Sequence, residues 1–308
     1  MNSQHRIART RPDVTLLNFG ELRRALGGAA RWWVVLFGIL IVLREMLQSS
    51  WAPVSFSIPI WLVFVPLALV FLIRPVRADD APLRTVLAPV EGRWVALNSP
   101  ATKIPSHGVR TLGQAFAIDI LHPSNSRSTR LGWALRQRRP EEFSCYGTDV
   151  RAVQEGRVVR VHRSRRDHCV RTSWPGIIFM LTVEAILREL GGPNFVLGNH
   201  VVIEHAHGSY SAYAHLRHNS IGVQTGAVVV AGQVIGQVGN TGNSSEPHLH
   251  FQLMDRARPD RAAGLPFRWS NVTIEPNLDP ALDSREEPSP RLDGLPGTAQ
   301  IFVAMREE

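Results

Sequence analysis

The chain has 308 residues, 44% of them hydrophobic, and carries a formal net charge of +8. That length supports one substantial domain with additions, and two cysteines, Cys145 and Cys169, 24 positions apart and without a CxxC pair, exclude a cysteine-built zinc module. The positive charge suits an anionic surface such as a membrane face or a wall polymer, and with no zinc finger, RNA-binding aromatic signature or recognition helix in sight, nucleic acid is not the expected partner.

Residues 1–26 are polar and basic, with arginines at 6, 9, 11, 23 and 24. The stretch "WWVVLFGILIVL", Trp32 to Leu43, covers only about 18 Å as a helix, so it must extend backward past Arg31 to approach a hydrocarbon core of about 30 Å. After Arg44 and Glu45 no charge appears until Arg74, a 28-residue interval containing "WAPVSFSIPIWLVFVPLALVFLI". These runs predict a two-helix transmembrane hairpin over 27–73 in a lipid bilayer, with Trp51 and Trp61 as interfacial markers. Arginines flank both outer ends, which by the positive-inside rule puts both ends in the cytoplasm; should the first run not span, the C-terminal domain lies on the opposite side from the N-terminus.

Residues 74–87 read as a polar linker, and 88–275 as a soluble domain. Short β-branched segments recur there between Gly, Asn and Pro: "GRWVAL" (92–97), "GRVVRVH" (156–162), "NHVVIEH" (199–205), "AVVVAGQVIGQVG" (227–239) and "LHFQLM" (249–254). That spacing predicts a mainly β, antiparallel, sandwich-like domain. One interruption, "GIIFMLTVEAILRELGG" (176–192), has a helical period and a Gly-Gly stop. It is read as an inserted helix, packed on the sheet or lying on the membrane. Residues 276–308 read as a polar tail in which "AQIFVAM" could add an edge strand. The two cysteines leave a disulfide and two lone thiols open.

The chemistry centres on "SSEPHLHFQL" (244–253). On a strand, His248 and His250 face one side and Leu249 and Phe251 the other. A catalytic zinc site needs about three protein ligands and one open position. Further imidazole candidates are His107, His122, His162, His168, His200, His205, His207, His215 and His218. The carboxylate with the best context is Asp119 in "GQAFAIDI", where alternation places Ala115, Ala117 and Asp119 on one face. A carboxylate ending an apolar strand needs a partner if buried, and a metal is one. The pair His205 and His207 has the same spacing but reads as a hairpin turn. Tyr213 shares a face with His215 by period two and reads mainly as packing.

The ordered set formed by "PSHGVRTLGQAFAIDI", "YSAYAHL", "VIGQVGNTG" and "PHLHF" resembles the lysostaphin and LytM-like zinc endopeptidases, from "LAPVEGRWVALNSP" through "FQLMD". The resemblance implies one zinc ion per chain, with Asp119 and His250 as ligands and His215 and His248 as catalytic imidazoles. The family's common first motif has a histidine four residues before the aspartate, where this chain has Ala115. The upstream His107, twelve residues before Asp119, is taken as the remaining metal ligand. A membrane-tethered zinc metalloendopeptidase acting on short peptides, most simply those of peptidoglycan, is the function so implied, with the catalytic domain outside the cell. A non-catalytic LytM-like binding or regulatory module, favoured by Ala115, and a membrane protease acting on a protein substrate are the alternatives.

Overall fold

Strand-forming segments separated by turns organise most of the computed structural model, which describes residues 19–48, 59–73, 75–123, 138–171, 173–282 and 292–306. In chain order the elements are α1 (Phe19–Gly28), α2 (Ala30–Gln48), α3 (Ile60–Leu72), β1 (Arg84–Val86), β2 (Gly92–Leu97), β3 (Ile118–Leu121), β4 (Asp149–Arg151), β5 (Gly156–His162), α4 (Trp174–Phe179), α5 (Ala185–Gly191) and α6 (Pro193–Val196). There follow β6 (His200–His205), β7 (Ser209–Ala214), β8 (Val228–Val229), β9 (Val234–Gln237), β10 (Leu249–Met254), β11 (Phe267–Trp269), β12 (Val272–Leu278) and β13 (Gln300–Ala304).

Nine strands form one antiparallel sheet in the order β12-β13-β2-β3-β10-β7-β6-β5-β8. The expected mainly antiparallel β domain is therefore present. Its alternation is strict where it matters. Ile118, Ile120, Leu249 and Phe251 on β3 and β10, with Trp94, Phe267 and Phe302, form one apolar core. β10 is buried along its whole length, because its other face is covered as well. Burying side chains of this size contributes roughly 1.5–3 kcal/mol each, which fixes the register of β10 between its neighbours.

Two expectations about the sheet are corrected. "AQIFVAM" does not form an edge or a tail: β13 pairs with β12 on one side and β2 on the other, so the sheet extends past residue 275. The segment "GQAFA" is not strand. Residues Thr111–Phe116 form a 3₁₀ turn in which Leu112 and Gly113 have φ of 58° and 74°, and β3 begins only at Ile118. The left-handed pair turns the chain across β10, where a side chain at Gly113 would lie 3.0 Å from Met254 Cγ.

The inserted helix is present as α4, a π-helical turn over Met180–Glu184, and α5. Ser173 caps its N-terminus through a hydrogen bond accepted from Gly176 N. In the N-terminal part, α2 and α3 pack together, with the Phe37 and Phe64 rings 5.6 Å apart. No single described helix is long and apolar enough to cross a membrane. The bent pair Phe19–Gly28 and Ala30–Met46, with an angle of 58° between its parts, passes by length and composition. Trp51 and residues 49–58 of the expected hairpin lie outside the described residues. α1 is tied to the β domain by an Arg24–Asp255 ion pair at 2.6 Å and by a further pair between Glu21 and Arg256. Both cysteines are free thiols: Cys145 is buried, donating to Pro247 O, and Cys169 is exposed.

Candidate metal centre

Strand pairing brings Asp119 and His250 together. β3 and β10 are neighbours, and these two residues are direct cross-strand partners, which sets their Cβ atoms about 5 Å apart on one face. On its other side His250 faces Ala214 of β7, a residue too small to fill the space above the sheet. His250 Nδ1 lies 2.9 Å from Asp119 Oδ1. Its Nε2 is 2.9 Å from Gln252 Oε1, the next residue on the same face, and the Gln252 amide in turn donates to Leu112 O at 2.8 Å. Gln252 Oε1 can accept from Nε2–H, the tautomer in which the Nδ1 lone pair is available to a metal.

His107 reaches the same carboxylate from a loop. Its Nε2 lies 3.0 Å from Asp119 Oδ2, and its Nδ1 lies 3.1 Å from Ser106 Oγ. The Ser106 hydroxyl donates to Ala117 O at 2.6 Å, so its oxygen is free to accept from His107 Nδ1. Asn98, at φ 48°, donates its side-chain amide to Asp119 Oδ2 at 2.8 Å. One ligand atom from each of His107, Asp119 and His250 can be chosen so that all three lie within 4.8 Å of one another. Among the described residues this is the only such group of three.

Two more imidazoles line the cleft. His215 follows the last residue of β7 and has φ 60°, and its Nδ1 lies 2.7 Å from Thr241 O. The "GNTG" turn supplies that carbonyl by passing directly over residues 196–198. A side chain at Gly242, φ 77°, would meet Gly198 N at 2.4 Å, so only glycine permits the approach. His248 Nδ1 lies 2.8 Å from Glu246 O, and its Nε2 is 3.6 Å from Asp119 Oδ1. The ring centroids of His215 and His248 are 4.8 Å apart. In all four histidines one ring nitrogen has an acceptor of its own and the other is directed into the cleft.

Electrostatics follow from burial. Burial by itself pushes the Asp119 carboxyl upward, but His107 and His248 nearby and hydrogen bonds from His107 and His250 outweigh it, holding the group well below the usual carboxylate range. Burial drives His215 well below the usual imidazole value, reinforced by His248 and His250. Glu246, whose residue also lines the cleft, is pushed upward by burial. The cavity measures about 200 Å³, and Met180 of the inserted helical segment and Val196 of α6 are among the residues that line it.

The structure thus brings together all five residues singled out from the sequence, His107, Asp119, His215, His248 and His250, around one cavity. The rival pair does not join them. His205 is buried between Glu155 O and Ser211 Oγ, and His207 sits at φ 61° in the turn. His122 packs on Trp94, His162 stacks on His200, and His168 bonds to Gly242 O behind the "GNTG" turn. His218 anchors its own backbone to Asp167. Tyr213 is core: its hydroxyl accepts from Val153 N at 2.8 Å. Ser106, Asn98, Gln252, Thr241 and Glu246 were not found from sequence. Period two from His250 points to Gln252; the other four act through loop conformation that no local pattern announces.

The donor set suits a divalent metal with nitrogen and oxygen preference. Two imidazoles and one carboxylate converge, each imidazole has an oxygen within hydrogen-bond distance of its second ring nitrogen, and the carboxylate stays ionised.

Residues 182–261 match the model of peptidase family M23. That stretch holds His215, His248 and His250; His107 and Asp119 precede it. The chain is 46% identical over 75 residues to the peptidoglycan DD-endopeptidase ShyA of Vibrio cholerae, a match covering 24% of this chain and 17% of that protein. It is 29% identical over 172 residues to the cell division protein DipM of Caulobacter vibrioides, covering 54% of this chain and 26% of that protein. The chain therefore spans about a quarter or less of the length of these relatives. Among solved structures, the catalytic domain of lysostaphin from Staphylococcus simulans is similar at 22% identity and a TM-score of 0.29, over 49% of this chain and 77% of that one. The ordered motifs and the family match lead to one assignment: this chain carries a peptidase family M23 domain of the LytM and lysostaphin kind.

Proposed function

We propose that the chain is a membrane-anchored zinc metalloendopeptidase that hydrolyses short peptides of peptidoglycan, with its β domain outside the cell. The observation that carries the reading is the convergence of His107, Asp119 and His250, with the second nitrogen of each imidazole already bonded to Ser106 or Gln252. When bound there, zinc supplies Lewis acidity, polarising a carbonyl oxygen and making water more acidic.

The remaining work falls to the chain. Asp119, held ionised, offsets the metal's charge. His215 and His248 keep their Nδ1 protons on Thr241 O and Glu246 O, so each offers a basic Nε2 to the cleft. A neutral imidazole so placed takes a proton from the attacking water and returns it to the departing amine. The imidazolium formed in between stabilises negative charge developing on the substrate carbonyl oxygen. Met180 and Val196 exclude water from one side of the cleft.

The non-catalytic alternative rested on Ala115. That residue is buried in the 3₁₀ turn, while His107 arrives from the preceding loop at hydrogen-bond distance from Asp119. The loop histidine supports the catalytic reading. The test is metal analysis of the purified chain together with release of peptide fragments from peptidoglycan. One zinc per chain and hydrolysis, both lost in His250→Ala, is the expected result. A metal-free chain that still binds peptidoglycan without cleaving it contradicts the proposal.

A further inference from the structure

The inserted helical segment, Trp174–Gly191, is amphipathic in the wrong sense for a helix facing water. Two of its charged groups, Glu184 and Arg188, point inward: Glu184 pairs with Arg171 and Arg188, and Arg188, only 9% exposed, also donates to Asn243 Oδ1 beside the cleft. Its outward stripe is Trp174, Ile178, Phe179, Val183 and Leu187, each between 42% and 59% exposed. The π-helical turn over Met180–Glu184 breaks the 3.6-residue spacing between them, and their shared exposure defines the outward side. A water-soluble surface helix shows the opposite arrangement, and an exposed apolar stripe of this length marks an interaction surface.

Two features identify what covers it. First, the stripe belongs to a larger apolar surface. α5 packs against α2, whose Trp32, Ile39 and Val42 are themselves exposed, and α2 packs against α3, where Trp61 and Phe64 are exposed. The join is close: the Arg31 guanidinium occupies the space that a side chain at Gly192 would take. Second, the seam between helices and β domain contains a cavity of about 400 Å³ with an otherwise mainly apolar lining, on which Arg23, Arg31 and Arg261 converge together with Asp260 and with Arg24 and Arg110, which are paired to Asp255 and Asp79. Apolar surface bordered by clustered guanidinium groups complements acyl chains below anionic headgroups.

We propose that Trp174–Gly191 lies in the plane of an anionic lipid bilayer surface, its apolar stripe among the acyl chains. The segment then has two roles at once. Met180 on its protein side walls the metal cleft, and Val196, just beyond it, lines both the cleft and the seam cavity. The cleft is thereby held at headgroup level and receives peptides presented at the membrane surface. This rests on the membrane-anchored reading of the chain, and the test separates the two.

The full chain in a Cys169→Ser background, with Cys145 buried, is reconstituted in nanodiscs containing phosphatidylglycerol. Spin labels are placed at Val183→Cys or Leu187→Cys, with Val228→Cys on the edge strand β8 as an exposed apolar control. Relaxation by lipid-soluble oxygen is compared with relaxation by a water-soluble nickel chelate. At 183 and 187 oxygen is expected to dominate severalfold, and at 228 the chelate. Co-elution with discs but chelate-dominated relaxation at 183 and 187 overturns the in-plane helix while leaving the anchor intact. Protection from both agents, as burial against a second protein copy produces, overturns it too. A chain that does not co-elute with discs overturns the anchor and this inference together.

Discussion

The two halves of the metal centre are built differently. Asp119 and His250 sit on β3 and β10, adjacent central strands whose opposite faces carry Ile118, Ile120, Leu249 and Phe251 into the core. Their positions are over-determined by burial, since a one-residue slip would turn every core side chain outward. His107, His215 and His248 stand on loops or just past a strand end. Each is aimed through Nδ1 by local oxygens: Ser106 Oγ for His107, Thr241 O for His215, and Glu246 O with Ser244 Oγ for His248. Hydrophobic packing thus fixes half of the site, and local polar contacts fix the other half. Damage to the two halves should look different.

The largest effect is expected on the strand side. Asp119→Ala or His250→Ala should abolish both metal retention and hydrolysis, with a circular dichroism spectrum close to that of the parent chain. Next, His215→Ala and His248→Ala should retain metal and lose activity by about 10²–10⁴-fold, as expected for loss of a group that transfers protons. Equal loss of metal in these variants would place them among the ligands and break the comparison. Weaker still are the groups that orient the ligands. Gln252→Ala and Ser106→Ala should lower metal affinity by about 10–100-fold, read by titration against a competing chelator. Each removal also takes the side-chain donor from a buried carbonyl, Leu112 O or Ala117 O, so the two losses should be of similar size.

The smallest effect on activity concerns a strand histidine outside the centre. His200 on β6 is fully buried, and burial lowers its pKa to about 4. The unfolded chain binds a proton at this residue below about pH 6.5, while the folded chain resists doing so. Stability should therefore be unaffected above that pH and fall as pH drops toward 4, by at most about 3 kcal/mol. Urea unfolding at a series of pH values should show the slope, and His200→Gln should flatten it without changing hydrolysis at neutral pH.

What sequence could reveal follows the same division. β10 was legible because Leu249 and Phe251 alternate with His250, and period two is a local property. The inserted helix was legible from its 3.6-residue period. Asp119 does line the cleft, but part of the reasoning that singled it out fails: the alternation through Ala115 and Ala117 is a coincidence of composition, since that stretch is a 3₁₀ turn shaped by Leu112 and Gly113. The place of β13 was missed because membership of a sheet depends on partners far away, here Trp94 and Val95 of β2. Asn98, Ser106 and Thr241 were missed because their roles depend on backbone conformation, such as the φ of 48° at Asn98, and not on residue type.

The central claim is that two imidazoles and one carboxylate hold a single divalent ion. X-ray absorption at the zinc edge of the purified full chain tests it directly, compared with His107→Ala. The account predicts two imidazole nitrogens and a carboxylate oxygen at about 2.0–2.2 Å in the parent chain, and one imidazole fewer in the variant. An identical spectrum in the variant, or sulfur in the first shell, would contradict it.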